Sequence, residues 1–150
     1  MVRRAVTALL TASALLAFDT AAAQAKVFRG ETGQGRRASV VVGTDGLLRA
    51  ARVNWRARCR DGRVFEKTLF SRPHDSSTPD AFFDTGTYRG RSKGGYRLRF
   101  TTSIRGERRG SGANERWRGT FRAKVLVTRR GRYVDTCRLR TLRWRARLVG

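Results

Sequence analysis

Residues that commonly serve catalysis or bind metals are scarce in this chain. It contains one histidine, two cysteines and only 11 acidic residues, and their spacing does not match a zinc site. No glycine-rich segment precedes a helical pattern, which excludes a phosphate-binding loop of the nucleotide-binding type. The sequence therefore predicts neither a metal ion nor a cofactor.

Long apolar segments are equally scarce, with one exception at the start of the chain. An apolar stretch at 5–18 follows two arginines and precedes two small-x-small cleavage patterns that share Ala23. It is shorter than the about 20 residues that span a bilayer as a helix, although a retained membrane anchor is the alternative interpretation. These features predict a signal peptide over residues 1–25, cleaved to leave a secreted, extracytoplasmic protein with a single β domain at 26–150 and no transmembrane segment.

The two cysteines, Cys59 and Cys137, are predicted to form a disulfide. Exported domains of this size often carry such a cross-link, because their compartment is oxidising. Both cysteines also fall at inward-facing positions of predicted strands. The alternative is a pair of buried free thiols.

Acidic residues are few in relation to basic ones. The chain has 34 lysines and arginines and a formal net charge of +23. Such a balance favours phosphates, anionic glycans or acidic envelope polymers as partners. A bias towards GC-rich codons is the competing explanation, since it would replace lysine by arginine and leave a merely solvated basic surface. That bias does not explain the shortage of acids, because aspartate also has a GC-rich codon.

Helical periodicity is absent after residue 26, and apolar and polar residues alternate instead. Glycine- and aspartate-containing turns interrupt the alternation at short intervals, which is typical of an antiparallel meander. Strands are predicted at 26–32, 37–42, 47–59, 64–70, 81–89, 96–105, 116–127, 133–139 and 142–148. The segment 106–114 is predicted to be a flexible connection. About eight or nine strands with one apolar face each predict an all-β fold, either a single antiparallel barrel or a two-sheet sandwich, with the barrel slightly favoured.

The alternation places tryptophans and arginines on opposite faces of the strands. Trp55, Trp117 and Trp144 fall at inward positions and are interpreted as core residues. The phase slips near Thr141, which predicts a bulge or a short turn there. The candidate polyanion-binding residues are the outward arginines Arg97, Arg99, Arg116, Arg118, Arg122, Arg143, Arg145 and Arg147.

Catalysis is weakly supported by the remaining polar residues. His74 lies in a proline-flanked loop with an aspartate and two serines after it, where a solvated histidine is the simpler interpretation. Asp135 falls in the inward phase between Tyr133 and Cys137, and a structural role is the default for such a carboxylate. Asp84 is the other acid of the 71–84 region.

Specific recognition of nucleic acid is not expected. Proteins that bind single strands place exposed aromatic rings beside a basic groove, whereas the tryptophans here face away from the arginines. Phe82, Phe83 and Tyr88 could be exposed, and the pattern leaves their placement open.

Four segments resemble small exported all-β proteins of high-GC actinobacteria. They are FRGETGQG at 28–35, NWRARC at 54–59, GTFRAKV at 119–125 and DTCRLRTLRWRAR at 135–147. The resemblance covers most of 26–147 and implies export, a pair of cysteines and an all-β fold. That group brings no known activity, so the resemblance assigns no catalytic or ligand residue.

Together these observations predict a non-catalytic, exported β-barrel that associates with anionic cell-envelope or extracellular polymers through its arginine rows. One alternative is a carrier that binds a small apolar ligand inside the barrel. A second alternative is a hydrolase that uses the loop region at 71–84.

Overall fold

The computed structural model describes residues 24–73 and 78–149. The predicted signal peptide lies outside the described residues except for its last two positions. The residues at 74–77, which include His74 and the two serines that the alternative hydrolase prediction involves, also lie outside them.

Eight antiparallel strands form one sheet. They are β1 (Lys26–Thr32), β2 (Arg37–Val42), β3 (Leu48–Arg58), β4 (Val64–Ser71), β5 (Ala81–Ser92), β6 (Tyr96–Arg109), β7 (Arg116–Arg129) and β8 (Arg132–Leu148). Their order in the sheet is β4-β3-β2-β1-β8-β7-β6-β5, with β1 paired to β8. The sheet curls into a nearly closed barrel whose two edges are β4 and β5. This arrangement confirms the barrel over the sandwich. The described part of the chain contains no helix that is long and apolar enough to cross a membrane.

Aromatic side chains fill the interior of the barrel. Trp55 and Trp117 are fully buried and Trp144 is almost so, which confirms their predicted inward orientation. Trp55 packs against Phe121 with 5.6 Å between ring centroids, and Phe28 meets Trp117 edge-on at 6.5 Å. The two faces of each strand therefore separate as their alternation predicts, because successive side chains of a strand point to opposite sides.

The predicted disulfide joins the end of β3 to β8. Cys59 and Cys137 are both buried, and they lie 78 positions apart in the chain. Closing a loop of that length in the unfolded chain stabilises the fold by about 4.5 kcal/mol in the chain-entropy model.

Next to the disulfide, the buried carboxylate of Asp135 accepts hydrogen bonds from the backbone N–H of Thr136 at 2.6 Å and of Asp61 at 3.4 Å. Asp135 thus has the structural role that its inward phase predicts.

The phase slip near Thr141 is a bulge within one long strand. Phe121 lies opposite Leu142, whereas Ala123 lies opposite Leu139, so Arg140 and Thr141 together face the single residue between Phe121 and Ala123. The division into two strands at 133–139 and 142–148 was therefore wrong, while the predicted bulge is confirmed. A second register shift lies between Val127 and Thr128 of β7. It reverses the phase at the start of β8, so that Tyr133 is 63% exposed rather than inward.

Strands β5 and β6 extend beyond their predicted ends at 89 and 105. The connection predicted at 106–114 is strand as far as Arg109, because residues 106–109 pair with β7. Gly106 suggested a break, but it serves packing instead. A Cβ atom at Gly106 would lie 2.3 Å from the Phe82 ring and 2.8 Å from the Trp144 ring. Glycine is needed there to make room for two buried rings, which sequence alone does not distinguish from a turn.

Candidate anion-binding face

The outer surface of β1, β8, β7, β6 and β5 carries rows of arginines, and we call it the arginine face. One row lies near the end of the barrel and crosses four strands. It consists of Arg29, Arg147, Arg116 and Arg109, each directly opposite the next. All four side chains are exposed. Directly opposed residues on paired strands have Cβ atoms about 4.5–5.5 Å apart, so like charges meet along this row.

The neighbouring row balances its charges. It runs Glu31, Arg145, Arg118, Glu107 across the same four strands. Arg145 pairs with Glu31 at 2.8 Å, and Arg118 lies 4.0 Å from Glu107. This row therefore has an acid at each end, although Glu107 lies closer to Arg109 of the first row, at 2.6 Å. The first row has no acid among its own four positions.

A first cleft of about 730 Å³ opens beside the compensated row. Its charged side chains are Glu31, Glu107, Arg105, Arg118, Arg143 and Arg145. Gly106 and Gly119 form part of its floor, and they lie opposite each other on β6 and β7. The first cleft thus combines cations with two acids that already engage two of them.

A second cleft of about 550 Å³ lies near the other end of β6. Arg89 and Arg91 of β5 face Arg99 and Arg97 of β6 directly across the hairpin. The remaining lining residues are Gly90, Leu98, Leu126 and Thr128, so no acid lines this cleft. Neither Arg89 nor Arg91 is in the predicted site; Arg91 fell in 90–95, which was interpreted as a turn, and Arg89 ended the predicted strand at 81–89. The mirror symmetry of RGR at 89–91 and RLR at 97–99 was the signal that could have identified them.

The eight predicted binding arginines do not form one cluster. Six lie together on the outer side of β7 and β8: Arg116, Arg118, Arg122, Arg143, Arg145 and Arg147. Arg97 and Arg99 lie apart from them, in the second cleft. Within the described residues, only Arg118 and Arg145 of the eight pair with an acid. Arg122 instead donates a hydrogen bond from Nε to Thr141 Oγ1 at 3.0 Å.

The acids of the described barrel are engaged in structural contacts. Cys59, Asp61 and Asp135 bring their ligand atoms within 4.8 Å of one another, but the sulfur of Cys59 is bonded in the disulfide. Asp61 accepts a hydrogen bond from Arg63 Nε at 2.6 Å, and this bond lowers the pKa of the Asp61 carboxyl below its ordinary value of 3.8. The disulfide therefore leaves the carboxylates of Asp61 and Asp135 as the remaining ligand groups of this cluster.

The second predicted candidate for hydrolysis, Asp84, joins the two edge strands. Its carboxylate accepts a hydrogen bond from the hydroxyl of Ser71, which is buried at the end of β4. The contact lies where β4 and β5 approach each other without forming a ladder. Asp84 therefore has a structural partner.

The aromatic side chains at 82, 83 and 88 differ in their exposure. Phe82 is buried, and Tyr88 is half-buried with its ring stacked on Phe100 at 4.7 Å between centroids. Burial raises the pKa of the Tyr88 hydroxyl above its ordinary value. Phe83 is exposed, and it is absent from the lining of both clefts. Trp144 lines the first cleft, but it is only 3% exposed, so its ring is not open for bases to stack on.

Comparisons with family models, curated proteins and solved structures return no match to this chain. The resemblance to exported actinobacterial β proteins therefore stays a prediction.

Proposed function

We propose that the protein is a non-catalytic, exported β-barrel that binds anionic cell-envelope or extracellular polymers through the arginine face. The observation that carries the proposal is the row Arg29, Arg147, Arg116 and Arg109, in which like charges are directly opposed across four strands. In this row only Arg109 has an acidic partner among the described residues, Glu107 at 2.6 Å.

Opposed like charges favour an external anion for an energetic reason. Each directly opposed pair destabilises the free sheet by some tenths of a kcal/mol, and a bound anion removes that repulsion. A linear polyanion gains further free energy because the cations release its condensed counterions. The arginine face therefore supports binding that weakens steeply as salt is added.

Export is supported by the buried disulfide between Cys59 and Cys137, because such bonds persist in oxidising compartments.

The two alternative functions have less support. The barrel interior is occupied by Trp55, Trp117, Phe121 and other large side chains, which leaves the apolar-ligand carrier without a supporting observation. The hydrolase has none within the described residues, where Asp84 is bonded to Ser71.

Salt-dependent binding to heparin, used as a linear polyanion probe, tests the proposal. The face variant Arg116→Gln/Arg147→Gln removes two cations from the arginine face, and Arg58→Gln/Arg60→Gln removes two from β3 and its turn. We expect the slope of log K against log salt to fall by about 0.7–0.9 for each lost phosphate-type contact in the face variant. The control variant should keep the wild-type slope. Equal losses in the two variants would show that net charge alone governs binding, and the proposal would then be wrong.

A further inference from the structure

We propose that the second cleft binds two consecutive tetrahedral oxyanions of a phosphodiester chain that carries no stacking bases. The inference rests on the proposed function and names the ligand chemistry of one part of the arginine face. It is carried by the two opposed arginine pairs Arg89–Arg99 and Arg91–Arg97 and by the chemistry of the residues between them.

The strand geometry sets the spacing of the two anion positions. Each pair spans the β5–β6 hairpin, where opposed Cβ atoms are about 5 Å apart. The pairs are two residues apart on each strand, which separates them by about 6.5–7 Å along the strand direction. Two guanidiniums can therefore converge on each anion. Successive anions of the ligand must then lie about 6.5–7 Å apart, which is the rise of two residues along a strand.

The four arginines of the second cleft carry positive charge that an external anion would neutralise. None of its four arginines forms an ion pair with an acid in the described part of the chain. The first cleft differs, because Glu31 and Glu107 already engage two of its arginines. The two clefts lie on one face, so general exposure to solvent does not explain the difference.

The chemistry of the guanidiniums and of the residues between them indicates which type of polymer the second cleft would bind. The planar fork of arginine matches the oxygens of a phosphate and binds them through two parallel hydrogen bonds, whereas lysine offers only a point charge. Leu126 lies directly opposite Arg99 with its side chain partly exposed, and beside Gly90 it gives the carbon spacers between phosphates an apolar contact. No aromatic side chain lines the cleft, so bases would add nothing to binding.

The test uses four probes of equal charge number: an abasic phosphodiester oligomer, the matching thymidine oligomer, a sulfated glycan and polyglutamate. Arg91→Lys/Arg97→Lys keeps the charge of the cleft and removes two guanidinium forks. We expect it to weaken binding of the abasic oligomer by about tenfold, with the salt slope unchanged. The face variant Arg116→Gln/Arg147→Gln should lose affinity for all four probes alike. Arg89→Lys/Arg99→Lys repeats the test on the other pair, and unfolding midpoints equal to wild type confirm that each variant is folded.

The outcomes separate this inference from the proposed function. Wild-type affinity of both lysine variants for the abasic oligomer would overturn it and leave general polyanion binding intact. Tighter binding of the thymidine oligomer would show that bases are recognised, and equal binding of polyglutamate would show that only charge matters. Preference for the sulfated glycan would assign the same oxyanion chemistry to a sulfate source and overturn the phosphodiester assignment. If none of the probes binds, the proposed function fails as well.

Discussion

Replacing Arg116 by glutamate should make the barrel more stable and less able to bind polyanions. Arg116 lies directly between Arg147 of β8 and Arg109 of β6, so it has a like charge on both sides. A glutamate at this position would convert both contacts into attractive ones. A natural residue that lowers stability at an exposed position fits a surface retained for binding.

The magnitude follows from the two cross-strand contacts. An opposed charged pair contributes about 0.2–1 kcal/mol, favourable for opposite charges and unfavourable for like charges. Reversing the sign of two contacts at an exposed site should therefore raise the free energy of unfolding by about 1 kcal/mol at low salt.

Arg118→Glu is a matched control because it makes the same change in net charge one row away. Arg118 lies between Arg145 and Glu107, so one contact becomes attractive while the other becomes repulsive. We expect no change in stability beyond the effect of net charge, which both variants share. The difference in free energy of unfolding between the two variants therefore measures the repulsion between Arg116 and its two opposed arginines.

Urea unfolding followed by the fluorescence of the buried tryptophans measures both variants. The difference should be largest at about 10 mM salt and vanish at about 1 M, because the Debye length falls from about 30 Å to about 3 Å. If Arg116→Glu were no more stable than Arg118→Glu at low salt, the register of β6, β7 and β8 or the pairwise reasoning would be wrong.

Two further predictions concern packing and pH. Gly119→Ala should destabilise the barrel by about 3 kcal/mol in thermal or urea unfolding, because its Cβ would lie 2.0 Å from the Arg105 carbonyl oxygen and 2.6 Å from the Trp144 ring. The Asp61 carboxylate, whose pKa Arg63 lowers, should contribute stability above pH 3.8 that is lost as the pH falls through its lower folded-state pKa. Unfolding midpoints of wild type and Asp61→Asn should therefore converge as the pH falls below 3.8.

Each of these has a simple control. Gly86→Ala adds the same methyl group where the nearest atom is 3.8 Å away, so it should be tolerated. A similar loss in both glycine variants would show that strand propensity rather than crowding is responsible. For Asp61, a stability difference that persisted unchanged at acid pH would exclude the ionised carboxylate as its source.

The predicted strands were most accurate where alternation ends at a turn. The bounds of β1 and β2 match their predictions, because glycine-containing turns close both strands and buried positions recur at every second residue of β2. The predictions were least accurate at Gly106 and Tyr133. Gly106 is kept small by rings from β5 and β8, and the orientation of Tyr133 is set by a register shift between β7 and β8. Both causes lie on other strands, beyond the reach of local periodicity.

The candidate site, like the fold, was predicted only in part from the sequence. Periodicity alone was enough to assign the eight arginines to the outside and the tryptophans and cysteines to the inside, because successive side chains alternate between the two faces of a strand wherever it has no bulge. Periodicity could not predict which residues of adjacent strands lie opposite each other. Whether an arginine meets another arginine, as Arg116 does, or an acid, as Arg118 does, depends on the register across four strands. Register is fixed by bulges, closing turns and core packing far apart in the chain, and so the row of four opposed arginines and the second cleft exist only in the folded barrel.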